Sequence, residues 1–492
     1  MRAICFLNKL WIGLCVCFMV LPLPGCAKHA LRHQPAQFNA EVRRDLVSSE
    51  NVSTFSLPTQ HYKLKNGLQV ILHHDNRVPY VAVNVWYHVG ASNELPHQSG
   101  LAHLFEHLMF EGSRNVGQED YFRLLEAAGA TQVNGSTGFS RTNYYEVVPS
   151  QELELALWLE SDRMGFLLDT LSQDKLDEQR RVVKNERLQR VDNRPYGLAE
   201  ESAWQSLFGE EHPYYGRVIG SMQALDAATL TDAFDFFQTF YNPSNATLTV
   251  AGDFDPETIR KLIKRYFGSL KSADRPNKPL VEVPKLSSEA RLYELESLGR
   301  LTKVLVHYVT PKLFAAADAE CDMISHILTG DRFARLSRAL MHDQQLVHSV
   351  ESYQSSFEHL SVFTVEALVL PGKDPQQDAQ AVLDVIDAQI VDLVHRQATA
   401  QEIQRAVNVL YTDRLFSLQR LNTRADQLQA YNYYMGTPQG LQADLGRYAQ
   451  VTPQSMARVV KQYLQPAQRV VLISHVPPIP EQEEQKEPAT AL

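Results

Sequence analysis

TLTDAFDFFQTFYNPSNATLTV runs from Thr229 to Val250, and TPQSMARVVKQYLQPAQRVVLI runs from Thr452 to Ile473. Each opens on a threonine able to cap a helix. Each reaches a proline 14 residues later, Pro243 in one and Pro466 in the other, and continues into a strand pattern. The two stretches share little identity but the same order of features. One plan repeated near the ends of two halves decides the fold class. The reading is α+β: two homologous units of about 200 residues, each a mostly antiparallel sheet with helices packed on one face.

The rest of the chain fits around these anchors. His61 to Leu64 and Leu68 to Leu72 flank Asn66-Gly67, a strong hairpin signal. From Tyr80 to Val89, Val81, Val83, Val85 and Tyr87 alternate with Ala82, Asn84, Trp86 and His88, the period of a strand. Helical patterns cover about 98–111, 118–128, 151–168, 173–191, 231–241 and 256–268. Ala130 to Val148 reads as two strands around Gly138-Phe139-Ser140, and Ser272 to Pro284 as a linker rich in Pro, Lys and Asp. The expected division is a first unit at 56–270, a linker at 271–290, a second unit at 291–477 and an acidic tail at 478–492.

The first residues follow another logic. Arg2 and Lys9 are the only charges in 1–25, and an apolar run from Leu10 to Leu23 follows. The run is too short for a spanning helix, which needs about 20 residues, and reads as a secretory signal. It closes on Leu23-Pro24-Gly25-Cys26, which resembles the lipobox of bacterial lipoproteins, although Pro24 is unusual there. Cys26 is then the lipid-attachment residue and 26–55 a polar tether. The resemblance, with no Asp following the Cys, implies an outer-membrane lipoprotein facing the periplasm. The other reading is an ordinary cleaved signal, an incidental Cys and a soluble periplasmic protein.

Hydrophobic residues make up 44% of the 492 and charged residues 21%, enough to build two cores. The net charge of −10, which becomes −12 once Arg2 and Lys9 leave with the signal, speaks against a nucleic-acid partner, because phosphate backbones select basic surfaces. Of the five cysteines only Cys26 and Cys321 survive cleavage, so a thiolate zinc site is excluded.

The chemistry concentrates in Gly100-Leu101-Ala102-His103-Leu104-Phe105-Glu106-His107-Leu108-Met109-Phe110. His103 and His107 are four apart, so on a helix both imidazoles share a face and can hold one tetrahedral zinc. Glu106 is near the same face and can reach a metal-bound water, whose pKa zinc lowers to about 7. Leu101, Leu104, Phe105 and Leu108 make the remainder of the helix apolar, and buried polar groups need partners. A third ligand must come from elsewhere. Glu186 lies on a helix dense in charge, from Glu178 to Arg187, where a solvated face is the ordinary reading.

The sequence resembles the pitrilysin/insulinase-type zinc peptidases, including the mitochondrial processing peptidase and its bacterial relatives. The resemblance runs from about Phe55 to Pro477. It rests on Gly90-Ala91-Ser92, Gly100-Leu101-Ala102-His103, Glu106-His107, Phe110-Glu111-Gly112, Arg141-Thr142-Asn143-Tyr144-Tyr145, Val182-Val183-Lys184-Asn185-Glu186-Arg187 and Asn193-Arg194-Pro195-Tyr196-Gly197. It implies Zn2+, one per chain, held by His103, His107 and Glu186, with Glu106 as general base. Two positions depart from the family pattern. A glutamate usually stands seven residues before the ligand, where this chain has Gln179; two helical turns put Gln179 on the Glu186 face, near the site. The family's Arg/Tyr pair, which holds the substrate carbonyl, aligns with His342 and His348.

By the same resemblance four α+β units enclose a chamber, and this chain supplies two. The expected partner is a homologous chain bringing the Arg/Tyr pair. Peptides bind in the family as an added strand on a sheet edge near the zinc, and Asn134-Gly135-Ser136-Thr137 occupies the matching position, with a plain turn as the other reading of Asn134 and Gly135. The expected function is a zinc endopeptidase acting on extended peptides or small unfolded polypeptides. The alternative is a non-catalytic or weakly active member serving assembly or binding.

Overall fold

Thr229 and Thr452 both cap helices. The Thr229 hydroxyl accepts from the Asp232 amide while Asp232 accepts from the Thr229 amide, and Thr452 and Ser455 repeat the exchange. This reciprocal pair satisfies amides that a helix start leaves open. Pro243 and Pro466 then each open a short 3-10 turn that leads into a strand. The structure, a computed structural model, describes residues 56–372 and 374–476. The expected signal, the tether with Cys26 and the acidic tail lie outside the described residues.

The first unit contains β1 Gln60–Lys63, β2 Gln69–His74, β3 Tyr80–Tyr87, α1 Leu101–Leu108, α2 Asp120–Ala127, β4 Gln132–Thr137, β5 Thr142–Pro149, α3 Leu153–Phe166, α4 Gln173–Arg187, α5 Gly197–Gln205, α6 Met222–Ala227, α7 Leu230–Phe240, β6 Ala246–Gly252 and α8 Pro256–Phe267. The second contains β7 Ala290–Leu295, β8 Thr302–Thr310, α9 Asp318–Thr329, β9 Val347–Ser356, β10 Ser361–Val369, α10 Pro375–His395, α11 Ala400–Ser417, α12 Leu421–Ala430, α13 Leu441–Ala449, α14 Pro453–Tyr463 and β11 Arg469–His475. The sheets run β1-β2-β6-β3-β5-β4 and β7-β11-β8-β10-β9. With β1 set aside the orders are the same. In each sheet one pair is parallel, β2 with β6 and β7 with β11, and the rest are antiparallel.

Asn66-Gly67 makes the expected turn between β1 and β2. Gly67 has φ 97°, and a Cβ there would stand 2.9 Å from Ser244 Cα. The helix read over 98–111 is shorter, because Pro96–Gln98 forms a separate 3-10 turn. The one read over 173–191 ends at Arg187 and continues as a π turn, Leu188–Asp192. Residues 271–289 carry no regular structure.

Val81, Val83, Val85 and Tyr87 of β3 pack into one core with α1, α3, α7 and α8. In the second unit Val304, Val306 and Tyr308 of β8 do the same with α9, α10 and α14. The opposite face of each sheet is covered from the other half of the chain. Helix α12 lies on β3 and β6: Ala425 packs against Ala82 and Ala251, Asp426 accepts from Trp86 Nε1 at 2.9 Å, and Gln429 donates to the carbonyls of Asn84 and Thr247 at 2.9 and 3.0 Å. Helix α5 returns the contact, with Ala199, Ala203 and Trp204 against Leu305, Val470 and Leu472 of the second sheet. The alternate residues of β3 are therefore buried rather than solvated. Among the described residues no helix is long and apolar enough to cross a membrane.

Candidate metal centre

Helix α1 is fixed at its start. Gly100, its N-cap, has φ 93°, and a Cβ there would meet Gly220 Cα at 2.7 Å. The Glu94 carboxyl accepts from the Gly100 and Ala102 amides at 2.9 and 2.7 Å, at the end of the helix that favours negative charge. Burial pushes that carboxyl up to about 8, against the pull of the two amides. Leu101, Leu104, Phe105 and Leu108 face the core, which turns His103, Glu106 and His107 to the other side. Helix α4, capped by Ser172 on the Lys175 amide, packs against α1 and brings Glu186.

His103 Nε2 lies 3.7 Å and His107 Nε2 3.4 Å from Glu186 Oε2, and one ligand atom from each of the three residues falls within 4.8 Å of the others. These separations exceed a good hydrogen bond. They match the edge of a tetrahedron, since ligands about 2.0–2.1 Å from a zinc stand roughly 3.3 Å apart. Two imidazole nitrogens and a carboxylate oxygen form a catalytic-type donor set that leaves the fourth position open. Burial, with His107 close by, holds His103 down to about 4, so its imidazole is neutral and free to ligate at pH 7. Glu186 is held below the usual carboxylate range by the neighbouring His107, against burial, with His103 and Arg190 adding to the effect. Its other oxygen pairs with Arg190 at 2.6 Å. His103 Nδ1 is buried and finds no partner among the described residues, where a ligating histidine usually has one.

Glu106 sits beside this set. Its carboxylate accepts from Thr137 Oγ1 at 2.5 Å. Burial raises its pKa, while Thr137 and His107 pull it down. Thr137 belongs to β4, which is the end strand of its sheet. Asn134 and Gly135 lie within β4, opposite Tyr145 and Tyr144, so they form a strand and not a turn. A cavity of about 750 Å³ joins the three ligand residues, Glu106 and the segment 134–137, and extends to Trp204 and Phe357.

Other expected residues fall elsewhere. Gln179 is on α4 as predicted, but its amide donates to Glu111 Oε1 at 2.7 Å and it does not line the cavity. His342 and His348 are exposed, and neither lines the cavity. Sequence reasoning missed Arg190, although its place four residues after Glu186 is the spacing of a helical ion pair. It also missed Glu94 and Arg217, which no local pattern marks.

A family profile described as insulinase, peptidase family M16, matches residues 69–211, the span that carries all three candidate ligands and Glu106. A second, described as the peptidase M16 inactive domain, matches residues 227–410. The chain belongs to the M16 peptidase family. Among M16 relatives, the zinc protease PqqE of Helicobacter pylori is 28% identical over 363 residues, covering 73% of this chain and 80% of that protein. An uncharacterized zinc protease of Mycobacterium leprae is 26% identical over 402 residues, covering 82% and 88%. The crystal structure of a protease from Helicobacter pylori superposes with a TM-score of 0.78 at 26% identity, over 86% of this chain and 100% of that one. The periplasmic protease PqqL from Escherichia coli shares the fold, with a TM-score of 0.68 at 18% identity, over 85% of this chain and 48% of that one. The M16 profile that is named for inactivity thus covers the end of the first unit and much of the second, and none of the candidate ligand residues.

Proposed function

We propose that this M16 chain is a zinc endopeptidase that hydrolyses extended peptides or small unfolded polypeptides. The observation that carries the reading is the convergence of His103, His107 and Glu186, with both histidines 3.4–3.7 Å from the Glu186 carboxylate and Glu106 between this set and a strand edge. Bound there, zinc supplies Lewis acidity, which polarises a carbonyl and makes water nucleophilic near neutral pH. Glu106 takes the proton of the attacking water and returns it to the leaving amine; its raised pKa suits that role. The peptide lies along the open edge of β4, where main-chain hydrogen bonds hold it extended whatever its side chains. Asn134 and Gly135 form the edge beside Glu106, and Gly135 lets the strand approach that carboxylate.

Among the described residues no Arg/Tyr pair lines the cavity, and neither His342 nor His348 does. Preorganised donors at the developing oxyanion are a large part of catalysis. A homologous partner chain that supplies them fits the size relation to PqqL, of which this chain matches 48%. The periplasm is the proposed compartment, with Cys26 as an outer-membrane lipid anchor; Cys26→Ser should then release the protein from the membrane fraction.

Glu106→Gln tests the catalytic assignment. The amide cannot accept the proton, so kcat/KM should fall by roughly 10²–10⁴-fold while zinc stays bound. Hydrolysis at the wild-type rate would remove Glu106 from the mechanism. Zinc binding without hydrolysis in every pairing would leave the assembly or binding subunit as the reading.

A further inference from the structure

Arg217 lines the zinc cavity and, among the described residues, has an aromatic neighbour but no carboxylate partner. It lies on the stretch between α5 and α6, half-buried, with its guanidinium carbon 5.5 Å from the centre of the Trp204 ring. Trp204 in turn stacks on Phe139 at 5.8 Å and 12°, two residues beyond the end of β4. Arg217 therefore stands off the Thr137 end of the proposed peptide track.

Among the described residues, no oxygen accepts a hydrogen bond from the Arg217 side chain and no carboxylate pairs with it. The two carboxylates that act on it, Glu200 and Glu201, are already engaged. Glu201 holds Arg187 through both oxygens at 3.0 and 2.7 Å. Glu200 holds Lys303 at 2.6 Å and Arg194 at 3.2 Å. The other arginine of the cavity, Arg190, is paired with Glu186. Burial weighs on the Arg217 charge and lowers its pKa. A planar fork with five donors, braced on an indole and short of an acceptor, is built for a carboxylate.

We propose that Arg217 is a specificity-determining residue, which receives a carboxylate of the peptide lying along β4 at a subsite between Trp204 and the Thr137 end of the strand. The inference rests on the peptidase reading of the cavity. The carboxylate has two possible sources, an acidic side chain or the free C-terminus of a short peptide.

Binding separates this from catalysis. The zinc-loaded full chain carrying Glu106→Gln is titrated into fluorescein-labelled peptides that differ only in Glu against Gln at one position, each with a free or an amidated C-terminus. Anisotropy gives the affinities. The carboxylate form should bind about ten-fold or more tightly, and the pair that shows the preference identifies the source. Arg217→Ala and Arg217→Gln should bring the ratio to about 1, with Arg217→Lys in between. The zinc content of each variant shows that it has folded. Equal binding of charged and neutral peptides by the Arg217-containing chain, an unchanged ratio in Arg217→Ala, or no binding of any peptide would overturn the proposal. Zinc content and hydrolysis by the chain with Glu106 intact report on the peptidase reading separately, so the two failures are distinguishable.

Discussion

At Gly135 a Cβ would stand 2.9 Å from Glu106 Cγ and 3.2 Å from its Oε1. The φ of Gly135 is not in the left-handed region, so the backbone accepts alanine there and the clash with Glu106 is the main effect. Overpacking of this kind costs about 1–3 kcal/mol. Gly135→Ala should therefore retain zinc and lower kcat roughly ten-fold, read by steady-state hydrolysis beside metal analysis. Loss of zinc would show that the strain runs into the ligand set instead, and wild-type kcat would show that Glu106 is not held by this contact. Much of the site was legible one residue at a time. The four-residue spacing of His103 and His107, and Glu106 within the same turn, imply a shared helix face whatever the surroundings. Glu186 was not legible alone, because α4 carries charge on most of its turns and a ligand looks like any solvated glutamate. Only family resemblance singled it out; in the structure its carboxylate stands 3.4 and 3.7 Å from the two histidines. Gln179 shows the limit of periodicity. Its turn is right, but Glu111 takes its amide.

Helices α1 and α9 occupy the same place in their units, each following the strand that lies between the parallel pair and the last hairpin. In the first unit the position carries the histidines. In the second it carries Asp318 and Asp322, turned into the packing against α13. Asp318 pairs with Arg447 at 2.8 Å and Asp322 accepts from Tyr448 at 2.7 Å. Burial, with the Asp318 carboxylate adding to it, pushes Asp322 up to about 7, while Tyr448 opposes. In the unfolded chain an aspartate titrates near 3.9. The folded chain thus keeps a proton that the unfolded chain gives up between about pH 4 and 7, so this group favours folding at low pH and its contribution is lost as pH rises through about 7. Asp322→Asn cannot ionise and should raise Tm at pH 8 by a few degrees relative to wild type, and by clearly less at pH 5, as read by thermal melts at both values. Equal shifts at both pH values would exclude the buried carboxyl as the cause. Element existence was legible from periodicity, and the capped repeats at Thr229 and Thr452 were legible from spacing. The exchanged helices were not. Ala82, Asn84 and Trp86 alternate like a solvated face, and nothing near them in sequence announces that Gln429 and Asp426 will cover them.

The whole molecule pairs two units of one plan, with metal residues in the first alone among the described residues. On this account the second unit shapes the cavity through Ser355 and Phe357 and leaves oxyanion stabilisation to another chain. The purified chain should therefore hydrolyse peptides weakly. Adding a homologous chain that has the Arg/Tyr pair and lacks the metal motif should raise kcat/KM by about 10²-fold or more, with a complex of both chains seen by size-exclusion chromatography. Full activity from a homogeneous sample of this chain would remove the need for a partner. The most direct test of the central claim comes before any assay of hydrolysis. Native mass spectrometry of the mature chain, purified without chelators in zinc-replete buffer, reads metal per polypeptide. The account predicts one zinc per chain, lost in His103→Ala, His107→Ala and Glu186→Ala and kept in Glu106→Gln. A folded wild-type chain that takes up no zinc under these conditions would contradict it.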